Sequence, residues 1–267
     1  MLVTVVDAQG SVPRERGAWM GVGPFEQWGT IGGGHLEWDA LRQCRERLAS
    51  GAGPFETWTQ RVALGPRLGQ CCGGVVTLQY EWMGACDPAV LARRLRPAES
   101  PVALFGGGHV GRAVVHALTP LPFAVRWVDS RDEVFPAGLA AHIETEHSDP
   151  VHRAVADLRP GSAVLIMSFS HAEDLDIVAA CLDRRRRSGD LPWVGLIGSQ
   201  TKWATFRHRL AERGFSDTEL ARITCPIGLP GIVGKEPAVI AASVVAQLLL
   251  ELEPSRGAVP DVGRSGF

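Results

Sequence analysis

The chain has 267 residues, 45% of them hydrophobic, and a formal net charge of -2. That length can bury one or two full cores, and the near-neutral charge gives no electrostatic reason for a nucleic acid or an acidic membrane as partner. No apolar run approaches the ~20 residues that span a bilayer, and Met1–Asp7 lacks the basic start of a secretory signal, so a cytoplasmic protein is expected.

The first predicted strand is Leu2–Val6, β-branched and apolar, followed by a turn at Gly10–Arg14. Trp28–Ile31 reads as a short strand running into Gly32–Gly34. From His35 to Leu48 the spacing of Leu36, Ala40, Leu41, Cys44 and Leu48 is helical. Phe55–Val62 and Gly74–Trp82 read as further strands and close a small α+β domain over residues 1–83. Residues 84–100, rich in Ala, Arg and Pro, read as a linker with a short amphipathic helix at most.

From residue 101 to 252 the rhythm becomes strand, glycine turn, helix. Val102–Phe105, Ala124–Val128, Ala163–Met167 and Trp193–Ile197 are apolar enough for buried parallel strands. Helices are expected over Val110–Leu118, from about Ala172, from about Lys202 and over Pro237–Leu250, and Ile223–Cys225 starts the last crossing. The fold class is therefore α/β: a small N-terminal α+β domain followed by a Rossmann-like doubly wound parallel sheet. The Arg184–Arg187 run reads as the solvated end of a helix, and residues 253–267 as a disordered tail.

Five polar or glycine-rich loops follow predicted strands: Gly106–Gly111, Asp129–Arg131, Ser168–His171, Gly198–Lys202 and Pro226–Lys235. In a parallel sheet all strand ends lie on one edge, where ligands bind at the switch point. Gly106-x-Gly108-x-x-Gly111, with His109 inside it, suits a phosphate brought against a helix N-terminus. Asp129 ends the second strand of this sheet, where a carboxylate would meet a ribose, so an NAD(P)-dependent oxidoreductase is one reading. His171 is either a ligand-facing group or the cap of the helix it precedes. Glu37 is expected to line the glycine turn of the small domain, and Arg14 to offer a fork for a phosphate or carboxylate.

The six cysteines are scattered except for Cys71-Cys72, held in Leu68-Gly69-Gln70-Cys71-Cys72-Gly73-Gly74. No CxxC occurs, which argues against a structural zinc site or a disulfide framework. Neighbouring thiols pair poorly with each other, and thiolates favour soft centres. The pair is read either as a soft-ligand loop or as two structural cysteines. Lys202 and Lys235 are the two lysines among 27 basic residues, and both stand in glycine-rich turns.

Together these strings resemble the XdhC/CoxI family of xanthine dehydrogenase accessory proteins. The matching strings in the first domain are Gly10-Ser11-x-Pro13-Arg14-x-x-Gly17-Ala18-x-Met20, Gly29–Gly34 with Leu36-Glu37, and Gly69–Gly74. In the second they are Gly106–Gly111, Val128–Arg131 with Phe135-Pro136, Ser170-His171-x-x-Asp174, Ile197–Lys202 and Pro226–Lys235. The resemblance implies a non-enzymatic chaperone that binds the molybdenum cofactor, a pyranopterin dithiolene with a phosphate. It further implies support of the cofactor's sulfuration with a cysteine desulfurase, delivery to apo xanthine dehydrogenase or a related molybdenum hydroxylase in purine catabolism, and a homodimer. Gln70, Cys71, Cys72, Gly106, Gly108, His109, Gly111, Asp129, His171, Lys202 and Lys235 are the expected cofactor-binding residues, with Cys71 and Cys72 toward molybdenum. The resemblance also implies a helix ahead of the first strand, where this sequence opens on the strand itself. A third reading is an assembly factor that touches the target enzyme without holding its cofactor.

Overall fold

The computed structural model describes residues 1–51, 53–65, 73–84, 88–95 and 99–252. The chain divides into two compact units, Met1–Arg96 and Pro97–Phe267. Gln70, Cys71, Cys72 and the tail expected at 253–267 lie outside the described residues.

In the first unit β1 (Leu2–Gln9), β2 (Trp19–Val22), β3 (Gln27–Gly29), β4 (Trp58–Ala63) and β5 (Val75–Glu81) form one antiparallel sheet, in the order β3-β2-β1-β5-β4. Strand β5 alternates strictly, burying Val76, Leu78 and Tyr80, as period-two side chains on a half-covered sheet must. Helix α1 (Gly34–Ala49) supplies the cover by turning Leu36, Ala40 and Cys44, four residues apart, into the same core. Burial pushes the Cys44 thiol up to about 11, so it packs as a small hydrophobe. Strand β2 was not expected, because four residues containing Gly21 carry too little apolar signal beside the turn before them. Helix α2 (Pro88–Leu95) falls in the stretch read as a linker, and Arg94 fastens it to Glu81 of β5.

The second unit is a six-stranded, wholly parallel sheet. Its strands are β6 (Ser100–Phe105), β7 (Phe123–Asp129), β8 (Ile143–His147), β9 (Ala163–Ile166), β10 (Val194–Leu196) and β11 (Ile223–Thr224). The order β11-β10-β9-β6-β7-β8 puts the reversal of winding between β6 and β9, the doubly wound arrangement. Every residue of β9 and the last four of β6 are buried, which requires covering helices on both faces. Helix α4 (His171–Ser188) and α5 (Gln200–Glu212) share one core with Ala103, Phe105 and Ile166, while α3 (His109–Leu118) and α7 (Pro237–Glu251) share the other with Leu104, Trp127 and Leu165. Each large apolar side chain so covered contributes about 1.5–3 kcal/mol. The short helix α6 (Asp217–Leu220) leads into β11 and carries a capping box from Ser216 and Glu219.

One strand was not foreseen, and one sequence expectation needs correction here. Strand β8, which no apolar run announces, pairs in register with β7 although only Ile143 is buried, because an edge strand needs one covered side chain and a ladder. The arginine run is a solvated helix end only in its second half, where Arg186 and Arg187 are exposed. Arg184 is buried, donates to the carbonyls of Val155, Ala156 and Leu158, and makes a double contact with Asp190. Arg185 donates to the carbonyls of Leu191, Pro192 and Arg222. The run ties the end of α4 to the loops around it, and a guanidinium fork suits clustered carbonyls better than an ammonium does.

Candidate functional site

The carboxyl edge of the parallel sheet collects most of the expected site residues of the second unit. Strand β6 ends at Phe105, and Gly106–Gly108 turn at once into α3, whose first residue is His109. The glycines of this turn have different tasks. A Cβ on Gly106, at φ 126°, would lie 2.1 Å from the Met167 carbonyl oxygen, and one on Gly111 would lie 2.0 Å from that of Gly106. These two glycines let the loop, the helix and β9 close on each other. Gly108 differs: its φ is -70°, and a Cβ there meets nothing within 4 Å. No side chain caps the helix at Gly108, so the first-turn N–H groups of α3 open onto free space beside an exposed His109. The buried Trp127 donates its indole N–H to the Gly106 carbonyl at 3.0 Å and sets the height of the turn.

Asp129 ends β7 as expected, but its carboxylate is buried and spent within the protein. Oδ1 accepts from the Arg131 N–H and Nε at 2.9 and 2.8 Å. Oδ2 accepts from the Gly107 N–H at 2.5 Å and from Arg131 Nη2 at 2.9 Å. Burial alone would raise this carboxyl, yet the hydrogen bonds from Arg131 and Gly107 outweigh it and hold Asp129 below its ordinary value. A carboxylate with four internal donors has little left for a ribose diol.

A second polar cluster stands at the ends of β9 and β10. Lys202 Nζ donates to Asp174 Oδ2 at 2.6 Å and to the Ile197 carbonyl at 2.9 Å. The other oxygen of Asp174 accepts from the Ser168 N–H at 2.9 Å and its hydroxyl at 2.8 Å. Two of the three Lys202 protons are thus committed and the ammonium is held rigidly. Helix α5 begins here, its first turn capped by Ser199. At α4 the cap is Ser170, which accepts from the Glu173 N–H; His171 follows it, exposed, with its ring edge toward Phe206. Ser168, Phe169, His171, Asp174, Gly198, Ser199 and Lys202 line a cavity of about 380 Å³.

A neighbouring cavity of about 680 Å³ runs from Cys225 along Pro226–Gly234 to Ser243 of α7. Its loop is pinned at one end by the Gly228 N–H on Gln247 and the Leu229 N–H on Ser243. Lys235 is exposed at the far end of that loop and does not line either cavity. Cys225 lies beside Gly198, as the Lys202 side chain does, and burial pushes its thiol up to about 11 against the pull of that ammonium. It is therefore protonated at neutral pH and a poor soft ligand. Among the described residues no cluster of three or more His, Cys, Asp and Glu side chains could hold a metal ion.

In the first unit the glycine turns are packed together. Gly74, just after the two cysteines, donates its N–H to the Ser11 carbonyl at 3.0 Å. Pro13 and Arg14 lie against Gly32, where a Cβ would come within 2.5 Å of the proline ring. Glu37 ties the turn itself: Oε2 accepts from Thr30 at 2.5 Å, the Ile31 N–H at 2.9 Å and the Gly33 N–H at 3.2 Å, while Oε1 accepts from Gln27. Burial opposes ionisation there, but these donors prevail and Glu37 titrates below its ordinary value. The turn that precedes α1, the Arg14 turn and Gly74 thus meet.

Sequence reasoning placed Arg131 and Ser168 in loops of this edge and Asp174 in a matched string, but gave none of the three a role in the site. Asp174 gave one signal, as an acid three residues into a helix that opens at a strand end. That position reads equally well as a first-turn carboxylate stabilised by the helix dipole.

Comparison with known proteins agrees with this fold. A protein of Escherichia coli (strain K12), described as uncharacterized protein YqeB, is 27% identical over 260 residues. The match takes in 93% of this chain, which spans 42% of the length of that relative. A solved structure from Bacillus halodurans, described as a xanthine dehydrogenase, has the same fold with a TM-score of 0.72 at 19% identity, covering 97% of this chain and 93% of that one. The family model described as XdhC Rossmann domain matches residues 102–248, and that described as XdhC and CoxI family matches residues 1–59. The chain belongs to the XdhC and CoxI family.

Proposed function

We propose that this chain is a cytoplasmic accessory protein of xanthine dehydrogenase or a related molybdenum hydroxylase. It binds the molybdenum cofactor as cargo, supports its sulfuration with a cysteine desulfurase, and delivers it to the apo enzyme as a homodimer with no turnover of its own. The observation that carries this reading is the division of labour in the glycine turn. Gly106 and Gly111 serve chain packing, while Gly108 leaves open space before uncapped N–H donors of α3, the environment a phosphate end of the cargo needs.

Gln70, Cys71 and Cys72 supply the soft end in this reading, toward molybdenum. Family membership and the description of the Bacillus halodurans structure support a partner of the xanthine dehydrogenase class. The spent carboxylate of Asp129 counts against the NAD(P) oxidoreductase.

The test is transfer. Wild-type protein loaded anaerobically with cofactor and mixed with apo xanthine dehydrogenase restores xanthine oxidation beyond what the same cofactor achieves alone. Restoration no better than with free cofactor would contradict delivery.

A further inference from the structure

Strands β7 and β9 flank β6, so the loops at their carboxyl ends start about two strand spacings apart, roughly 9–10 Å. Those loops nonetheless touch. The Arg131 guanidinium, from the end of β7, lies 5.0 Å from the centre of the Phe169 ring, from the end of β9. Beside this contact Ser130 Oγ donates to Glu173 Oε1 at 2.6 Å, again from the β7 end to the start of α4. Together these pairs bridge the switch point over the Gly106–Gly107 turn. In a dinucleotide site the ribose next to the adenine lies at the end of the strand that Asp129 terminates. Here that side is closed.

The same bridge offers something on its other side. Phe169 is 65% exposed, an unusual state for a phenylalanine at a binding edge, and it also lines the cavity of about 380 Å³. One part of the ring is backed by Arg131, and Arg131 is itself fixed in place by its double contact with Asp129. The cavity beneath carries groups suited to the edge of a heterocycle: the third proton of Lys202, His171, and the Ser168 hydroxyl oxygen as an acceptor, its proton being given to Asp174. Its volume is at the small end of the range for ligand sites, adequate for a fused two-ring system.

We propose that Arg131 and Phe169 form the specificity-determining wall of this site, closing it to the ribose of a dinucleotide and stacking on a planar heteroaromatic ring. This rests on the cargo reading above and deepens it: the ring is the pterin end of the cargo, held apart from the phosphate at Gly108.

The experiment is fluorescence titration of the full chain with free pterin, which has no phosphate and no molybdenum. Wild-type protein quenches the pterin signal saturably, Phe169→Ala weakens binding by about tenfold or more, as loss of one stacked ring does, and Phe169→Trp keeps it. Phe169 is exposed, so its variants fold, and matched unfolding curves confirm it. Equal affinity of wild type and Phe169→Ala, absence of any quenching, or tight binding of NADH to the wild type would overturn the proposal. Retention of the molybdenum cofactor without binding of free pterin would sink the wall and leave the cargo reading standing. Phe169-dependent binding of pterin with no retention of the cofactor would do the reverse.

Discussion

Replacing Gly111 and Gly108 by alanine, one at a time, separates packing from binding in the glycine turn. At Gly111 the new Cβ would lie 2.0 Å from the Gly106 carbonyl oxygen, backbone against an added methyl with no flexible side chain to yield. Overpacking of this kind costs about 1–3 kcal/mol, and the closeness of this contact puts it at the upper end. Alanine in a helix regains about 1 kcal/mol over glycine, so the net loss is about 2 kcal/mol. For a unit of this size that lowers the midpoint of thermal unfolding by roughly 4–8 °C. At Gly108 the backbone already has an ordinary negative φ, and the methyl meets nothing within 4 Å. Gly108→Ala therefore unfolds within about 1 kcal/mol of wild type, on the stabilising side if at all. Its effect falls on cargo: the added methyl occupies the space a phosphate must enter, and Gly108→Val fills more of it. Thermal unfolding followed by circular dichroism, paired with cofactor content after anaerobic loading, reads both quantities. Gly111→Ala melting with wild type would refute the packing argument, and Gly108→Val retaining full cofactor would refute the assignment of the open position to the ligand.

Lys202→Met leaves the buried carboxylate of Asp174 without its cation, and stability measured by urea unfolding falls by about 3–5 kcal/mol. Adding Asp174→Asn to that variant recovers part of the loss, whereas simple additivity would mean that the pair is not coupled. Glu37 is the pH-sensitive tie of the first unit. Its carboxyl titrates below its ordinary value of 4.5 in the fold, so its contribution is complete above that value and is lost as pH falls through the depressed one. Glu37→Gln accordingly narrows the gap in unfolding midpoint between neutral and acid pH, and an unchanged gap would contradict the role given to those hydrogen bonds. Cys71→Ala and Cys72→Ala leave the unfolding curve in place and lower cofactor retention, with equal retention in mutant and wild type ruling out a ligand role.

The parallel sheet was legible because its strands are apolar runs that end in polar or glycine-rich turns, and burial on both faces forces unbroken apolarity on Val102–Phe105 and Ala163–Ile166. Strand β8 was not, because Ile143-Glu-Thr-Glu-His147 turns one side chain inward, and its pairing comes from β7 rather than from its own composition. The glycine turn was legible as a motif, but which glycine is left open depends on where Met167 and Gly106 place their carbonyls. Asp129 marks the same limit more sharply. Its position at a strand end was readable, yet whether its oxygens are free is decided by Arg131, two residues on, folding back onto them. Charge runs mislead in the same way, since Arg184 finds three carbonyls that lie 26 to 29 residues earlier in the chain.

The most direct test of the central claim is anaerobic equilibrium binding of molybdenum cofactor to the full chain, read by molybdenum content and pterin fluorescence, with NADH as competitor. The account predicts stoichiometric binding that NADH does not displace and that the Cys71→Ala, Cys72→Ala double variant loses. Tight NADH binding with no pterin retained would contradict it and return the glycine turn to an ordinary dinucleotide site.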